Sequence, residues 1–237
     1  GSPVTELERN VESVIRAAVA EFDPETVFVG EETGGTLPPQ GRALAVDPVD
    51  GTWAFVTGAD TYATTLTVFD DGRPVVAIAG NPATGELAYA IEGGEARLIR
   101  LSSFGEPDRA VCLPTQKPDR STILVNFHPS RTGAPVSLAL QSAWAAGNIR
   151  MVRSPGGSPA WAMVEAAKGA YTYVNLWSRG PAEPYDLAGA ALILRTAGGE
   201  ICDLEGLPID AVNHKGPFVA GVERDSLDAV IQLVANS

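Results

Sequence analysis

Hydrophobic residues Leu7, Val11, Val14, Ile15, Ala18, Val19 and Phe22 recur at spacings of three and four, the period of one face of an α-helix. The pattern predicts a helix over residues 5–22 with that face turned to the core. Thr5 and Glu8 make a T-x-x-E capping box at its start, and Asp23-Pro24 ends it. The period then shortens. Val27-Phe28-Val29 and Ala43 to Val46 are short apolar runs of the buried-strand type, separated by a Gly- and Pro-containing loop over 33–42. Four β-rich segments follow: Thr64 to Phe69, Val75 to Gly80, Glu86 to Ile91 and Ala96 to Leu101. Asp70-Asp71-Gly72, Asn81-Pro82 and Gly93-Gly94 join them, which predicts an antiparallel meander.

Pro114 and Pro118 mark a boundary, and beyond it the pattern alternates. Thr122 to Phe127, Ile149 to Val152 and Tyr171 to Leu176 read as strands, with helices over Ala134 to Ala146 and Trp161 to Lys168 between them. Trp144 and Trp161 fall in these helices as core or subunit contacts. After an irregular loop from Trp177 to Pro184, Leu187, Ala190, Ala191, Leu194 and Ala197 mark a buried helix capped by Asp186 and stopped by Gly198-Gly199. Ile201 to Leu204 and Phe218 to Val222 are the last strands, and Ser226 caps a terminal helix. The chain thus divides into an α+β half over 3–115 and an α/β half over 116–237.

Composition narrows the function classes. At 237 residues and 45% hydrophobic, the chain can bury a sizeable core. No apolar run approaches the roughly 18 residues of a membrane helix, so no membrane partner is expected. Asp and Glu number 29 against 17 Lys and Arg, and this net charge of −12 argues against a nucleic-acid backbone as partner. Cys112 and Cys202 form no CxxC pair and read as small buried hydrophobes in a reducing cytoplasm. His128 and His214 lack ligand spacing and read as loop residues.

The candidate chemistry lies in Ala45-Val46-Asp47-Pro48-Val49-Asp50-Gly51-Thr52-Trp53-Ala54-Phe55. An apolar run delivers two carboxylates three residues apart into a Pro and Gly turn, where both side chains and the Val49 carbonyl can converge. Carboxylates about 4 Å apart repel by ~1 kcal/mol in water and ~4 kcal/mol at an effective dielectric of 20. A cation or a shared proton must relieve that, and oxygen-only donors favour Mg²⁺, Mn²⁺ or Ca²⁺ over zinc. The alternative is a solvated surface turn. The preceding strand also ends in acids, Glu31 and Glu32, so paired strands would bring Glu31, Asp47 and Asp50 to one sheet edge.

In order, Gly30-Glu31-Glu32, Asp47-Pro48-Val49-Asp50-Gly51-Thr52 with Phe55, Gly157-Ser158-Pro159-Ala160, and Tyr185-Asp186-Leu187-Ala188-Gly189 before Ala197-Gly198-Gly199 resemble the inositol monophosphatase family. The resemblance runs from Val4 to the end and implies a layered α/β/α/β/α sandwich, assembled as a homodimer. It implies a Mg²⁺-dependent phosphomonoesterase with two or three ions per site, Mn²⁺ as a substitute and Li⁺ as inhibitor. Glu31, Asp47 and the Val49 carbonyl would hold one ion; Asp47, Asp50 and Asp186 a second. Water would be the nucleophile, with no covalent enzyme intermediate. Thr52 would orient it with Glu31 and Glu8, and the Gly51 and Thr52 N–H groups would bind phosphate. Asp50, Gly157, Ser158 and Asn175 would contact the substrate, a small phosphorylated polyol or aminoalcohol.

Three departures from the family matter. Almost nothing precedes Val4-Thr5 where the family usually has a helix and a β-hairpin, so either an N-terminally shortened member or a trimmed chain is expected. Glu8 stands where the family has an Asp, and it serves the capping box equally well; Glu32 either supports the metal site or serves solubility. Asn175 stands near the acid that reads inositol, Tyr185 replaces a Trp, and Trp53-Ala54-Phe55 is closer to the histidinol-phosphate phosphatase branch. A non-catalytic binding protein derived from the family is the competing class.

Overall fold

The computed structural model describes residues 6–102, 106–119, 121–126, 133–154, 156–176 and 182–235. Thr5, Phe127, His128 and residues 177–181 of the irregular loop lie outside them. Helix α1 (Glu6–Phe22) precedes β1 (Val27–Gly30) and β2 (Arg42–Asp50), and a five-residue α2 (Thr52–Val56) follows. The meander is β3 (Ala63–Asp70), β4 (Arg73–Asn81), β5 (Glu86–Ile91), β6 (Arg97–Arg100) and a short, unanticipated β7 (Val111–Cys112). These strands form one seven-stranded sheet in chain order, β1 parallel to β2 and the rest antiparallel. Its turn chemistry is visible between β3 and β4, where Asp71 and Gly72 both take positive φ, 48° and 76°, in a two-residue loop of type I′ character.

The second sheet has five strands in the order β11-β12-β10-β8-β9. They are β8 (Thr122–Asn126), β9 (Met151–Arg153), β10 (Thr172–Asn175), β11 (Glu200–Cys202) and β12 (Phe218–Gly221). Its helices are α3 (Gly133–Ala145), α4 (Pro159–Ala167), α5 (Ala188–Thr196) and α6 (Arg224–Ala235). Alternation along the strands sorts the core. Leu124, Tyr173 and Phe218 join α4 and α5 in one cluster, whereas Ile123, Val125, Val174 and Val219 join Val136, Leu140 and Leu227 of α3 and α6. The first cluster also contains Ala77, Ala79, Ala88 and Ala90 of the seven-stranded sheet, so α4 and α5 fill the space between the two sheets. The small residues let helix and sheet approach closely. A Cβ on Gly189 would lie 2.2 Å from Thr67 Oγ1, so glycine is required where α5 crosses β3.

Arg16 of α1 lies over the Phe28 ring, and Phe28 pairs with Leu44 on the face opposite Ala45 and Thr67. Helix α1 therefore covers the outer face. The order is α1, sheet, α4 and α5, sheet, α3 and α6: the five-layered α/β sandwich that the family resemblance implied.

Several local expectations change. The second strand does not stop at Val46 but continues to Asp50 through an irregularity. In α1 the most deeply buried side chains are Glu8 and Glu12, while Leu7, Val14 and Phe22 are exposed, Phe22 by 87%. Polar contacts beneath the helix, described below, outweigh its apolar stripe. Asp186 does not cap α5, whose N-cap is Leu187 without a side-chain bond; its carboxylate accepts the Glu183 N–H instead. Ser226 sits inside α6, not at its cap, and its hydroxyl is buried without a hydrogen-bond partner. Cys112 is exposed and Cys202 buried, both as free thiols. Trp161 is core and Trp144 is 55% exposed.

Candidate active site

The site forms where β2 loses its regular pleat. Asp47 pairs with Thr65 and Asp50 with Ala63, so two residues on β2, Pro48 and Val49, oppose one on β3, Thr64, which is a β-bulge. In a regular strand, residues three apart point to opposite faces. Because Thr65 and Ala63 share a face, the extra residue brings Asp47 and Asp50 to that same face, towards the helices between the sheets. The Thr65 hydroxyl on this face bonds to the Tyr185 carbonyl at 3.1 Å, tying β3 to the segment that carries Asp186. Glu31 arrives from the parallel neighbour β1, its N–H bonded to the Val46 carbonyl at 3.1 Å.

Each acid has its own anchor. Asp47 is buried, and its Oδ1 accepts the Val49 N–H at 2.8 Å. Asp50 Oδ2 accepts the Ser158 hydroxyl and the Ala160 N–H, the latter at 2.9 Å. Ser158 is the N-cap of α4, its Oγ also accepting the Trp161 N–H at 2.7 Å, so Asp50 meets the positive end of that helix. Asp186 Oδ2 accepts the Glu183 N–H at 2.7 Å. Close backbone approach holds the Gly157-Ser158 turn against Gly51 and Thr61. Gly51 has φ 87°, and a Cβ there would lie 2.7 Å from the Ser158 nitrogen; one on Gly157 would lie 2.1 Å from the Thr61 carbonyl oxygen.

Thr52 opens α2 beside these acids. Its hydroxyl lies 3.3 Å from Glu8 Oε1 and 3.2 Å from the Val49 carbonyl, and its one proton serves one acceptor at a time. Glu8 thus faces Thr52 across the layer; the capping-box alternative involves Thr5, outside the described residues. Glu32 is largely buried and lies 3.9 Å from the Arg9 guanidinium.

Glu31, Asp47, Asp50 and Asp186 line one cavity of about 510 Å³, a size suited to a small metabolite. Val49, Gly51, Thr52, Gly157 and Asn175 line it too, while Ser158 reaches it through Asp50. Trp53, Asn126, His214 and Phe218 also contribute to its wall, and sequence reasoning missed them as lining residues. Asn126 reaches the cavity because β8 runs parallel to β10 in a register that pairs it with Asn175.

The acids carry the electrostatic character of the cavity. Burial, then the charges of Asp50 and Glu31, push the Asp47 carboxyl well above its usual range. Burial raises Asp50 to about 7 despite its bonds from Ser158 and Ala160, and raises Asp186 to about 6. Glu31 is raised by desolvation against the pocket wall, offset by the hydrogen bond it shares with Asp47 and reinforced by Glu32 and Asp186. No lysine or arginine among the described residues lines the cavity to relieve this.

No three acidic, histidine or cysteine side chains among the described residues enclose a single point. The carboxylates are instead tied to backbone donors, to Ser158 and to one another. Their chemistry nevertheless fits Mg²⁺ or Mn²⁺, because the donors are all oxygen, mutually repelling and without a described lysine or arginine in the cavity wall.

The sequence profile of the inositol monophosphatase family matches residues 1–237. A histidinol-phosphatase of Mycobacterium tuberculosis is 30% identical over 232 residues, 92% of this chain and 80% of that protein. A fructose-1,6-bisphosphatase/inositol-1-monophosphatase of Thermotoga maritima is 25% identical, covering 98% and 83%. Among solved structures, an IMPase of Thermotoga maritima superposes with a TM-score of 0.74 at 22% identity, covering 98% of this chain and 83% of its own. With a profile that spans the whole chain and a relative this similar over four-fifths of its length, the protein belongs to the inositol monophosphatase family of phosphoric monoester hydrolases.

Proposed function

We propose that the protein is a Mg²⁺-dependent phosphomonoesterase that releases phosphate from a small polyol or aminoalcohol phosphate by attack of water. One observation carries this: four carboxylates with raised pKa values share a cavity that no described lysine or arginine lines. Glu31, Asp47 and the Val49 carbonyl would hold one divalent cation, and Asp47, Asp50 and Asp186 a second. Bound divalent cations supply Lewis acidity, stabilising charge on phosphoryl oxygens and lowering the pKa of water. The chain does the rest. Thr52 accepts a hydrogen bond from the attacking water while its own hydroxyl donates to Glu8 or to the Val49 carbonyl. As the water oxygen bonds phosphorus and the ester P–O bond breaks, the water proton passes by way of Thr52 to Glu8 and the alcohol leaves. The Gly51 and Thr52 N–H groups receive phosphate oxygens, and Asn175 and the Gly157-Ser158 turn meet the rest of the substrate.

Histidinol phosphate is the second substrate candidate. It is supported by the Trp53-Ala54-Phe55 sequence and by similarity to the mycobacterial histidinol-phosphatase. Phosphate release from inositol-1-phosphate, histidinol phosphate, fructose-1,6-bisphosphate and phosphoadenosine phosphate, with and without Mg²⁺ and Li⁺, discriminates the branches. Metal-dependent, Li⁺-sensitive turnover of one ester supports the proposal. Binding of esters with no hydrolysis across the panel overturns it in favour of a non-catalytic binding protein. A homodimer in the cytoplasm remains part of the proposal. Among the described residues no helix is long and apolar enough to cross a membrane.

A further inference from the structure

Helix α1 carries two buried acids one turn apart, and only Glu8 is used by the site as described. Glu12, 0% exposed, reaches a different element. Its Oε1 accepts the Glu32 N–H at 2.8 Å, and its Oε2 accepts the Thr33 hydroxyl at 2.7 Å. Both donors belong to the turn after β1, which is closed at its base by reciprocal backbone bonds between Gly30 and Gly34 of 3.1 and 2.8 Å. A Cβ at Gly30 would lie 2.4 to 2.6 Å from the Glu12 carboxylate atoms. The carboxylate therefore fills the inside of the turn, and glycine at position 30 admits it. Arg16 completes the network from the same helix, donating to Thr33 Oγ1 at 2.7 Å while its guanidinium lies over Phe28.

Burying a carboxylate is costly unless its oxygens are satisfied, and an aliphatic side chain would serve simple packing better. What Glu12 gives in return is position. The Glu31 N–H is bonded to Val46 and the next N–H, that of Glu32, to Glu12, so the two backbone dihedrals of Glu31 are bracketed by fixed points on either side. The geometry points to Glu12 as a positioning residue that holds the Glu31 carboxylate in place for a divalent cation. This rests on the metal-centre reading above. It acts through backbone, with Thr33 as its second grip, much as outer hydrogen-bond partners tune affinity elsewhere.

The test is calorimetric titration of Mn²⁺ into metal-free wild type, Glu12→Gln and Thr33→Val, with circular dichroism as the fold control. Glu12→Gln keeps the volume but retains only one acceptor oxygen; Thr33 is exposed and tolerates valine. The Mn²⁺ Kd weakens about tenfold in Glu12→Gln and a smaller, roughly threefold amount in Thr33→Val, where one bond of the pair survives. The Mn²⁺ concentration for half-maximal turnover shifts in parallel, while kcat at saturating Mn²⁺ stays near wild type. A merely structural role leaves the Kd of the folded variant unchanged. That result with a metal-binding wild type overturns the positioning role alone. Wild type that takes up no Mn²⁺ overturns the metal centre and this inference with it. If Glu12→Gln does not fold, Thr33→Val decides, and a wild-type Kd there overturns the role.

Discussion

Replacing Asp50 by Asn should make the metal-free protein more stable above neutral pH while removing its function. The reason is the carboxyl's displacement from 3.8 to about 7. An acid with a raised folded-state pKa keeps its proton longer folded than unfolded, so the folded state is favoured below the unfolded pKa. That contribution is lost as pH rises from about 4 through about 7. The full shift corresponds to about 4 kcal/mol at 1.36 kcal/mol per unit. Neighbouring Glu31 and Asp186 readjust their own protons, so ~2 kcal/mol is the expected gain, or ~4–8 °C in Tm for a chain of this size. Asn still accepts from the Ser158 hydroxyl and the Ala160 N–H through its carbonyl oxygen, and it never charges. Thermal melts in EDTA from pH 4 to 8 should show wild type and variant together at pH 4 and the variant ahead at pH 8. Saturating Mg²⁺ should raise the wild type by mass action and leave the variant nearly unmoved. A gap that is absent at pH 8, or as large at pH 4 as at pH 8, refutes the reasoning.

Glu31→Gln and Asp186→Asn each remove one charged donor and should lower phosphate release by at least ~10²-fold, about 3 kcal/mol of transition-state stabilisation, with unchanged circular dichroism. Turnover like wild type in either would sink the mechanism. Gly51→Ala forces a side chain into φ 87° and against the Ser158 nitrogen; a loss of ~2 kcal/mol or more in urea unfolding is expected. Glu86 is buried between Lys168 and Arg100, and these partners hold its pKa below the usual carboxylate value in spite of burial. Its stabilisation is present above the unfolded pKa and lost as pH falls through the folded one. Glu86→Gln should accordingly flatten the acid limb of the stability curve below about pH 4.5.

The strands were legible where one face is buried and a glycine turn ends the run, as from Ala63 to Asp70 with its alternating burial and Asp71-Gly72 corner. Asp47, Asp50 and Asp186 stood out because local motifs carried them. Helix α1 misled for a physical reason. Its apolar period fixed the element but not the buried face, since Glu8 and Glu12 must point inward to reach Thr52 and the turn after β1. A short-range rule also misassigned two caps: Asp186 bonds to the Glu183 N–H instead, and α6 begins two residues ahead of Ser226. Asn126, His214 and Phe218 reach the cavity through strand pairing and chain return across long separations, which no local pattern encodes.

The bulge at Pro48-Val49 makes the length of this segment a fixed quantity. Deleting Val49 would leave Asp47 and Asp50 two residues apart and still on one face, but would remove the N–H that holds Asp47 Oδ1 and the carbonyl beside the Thr52 hydroxyl. The acids would keep their side of the sheet and lose the backbone groups that the bulge sets between them. A chain one residue shorter here therefore keeps both carboxylates without the donor and acceptor between them, whereas an exchange of the Val49 side chain keeps all four groups.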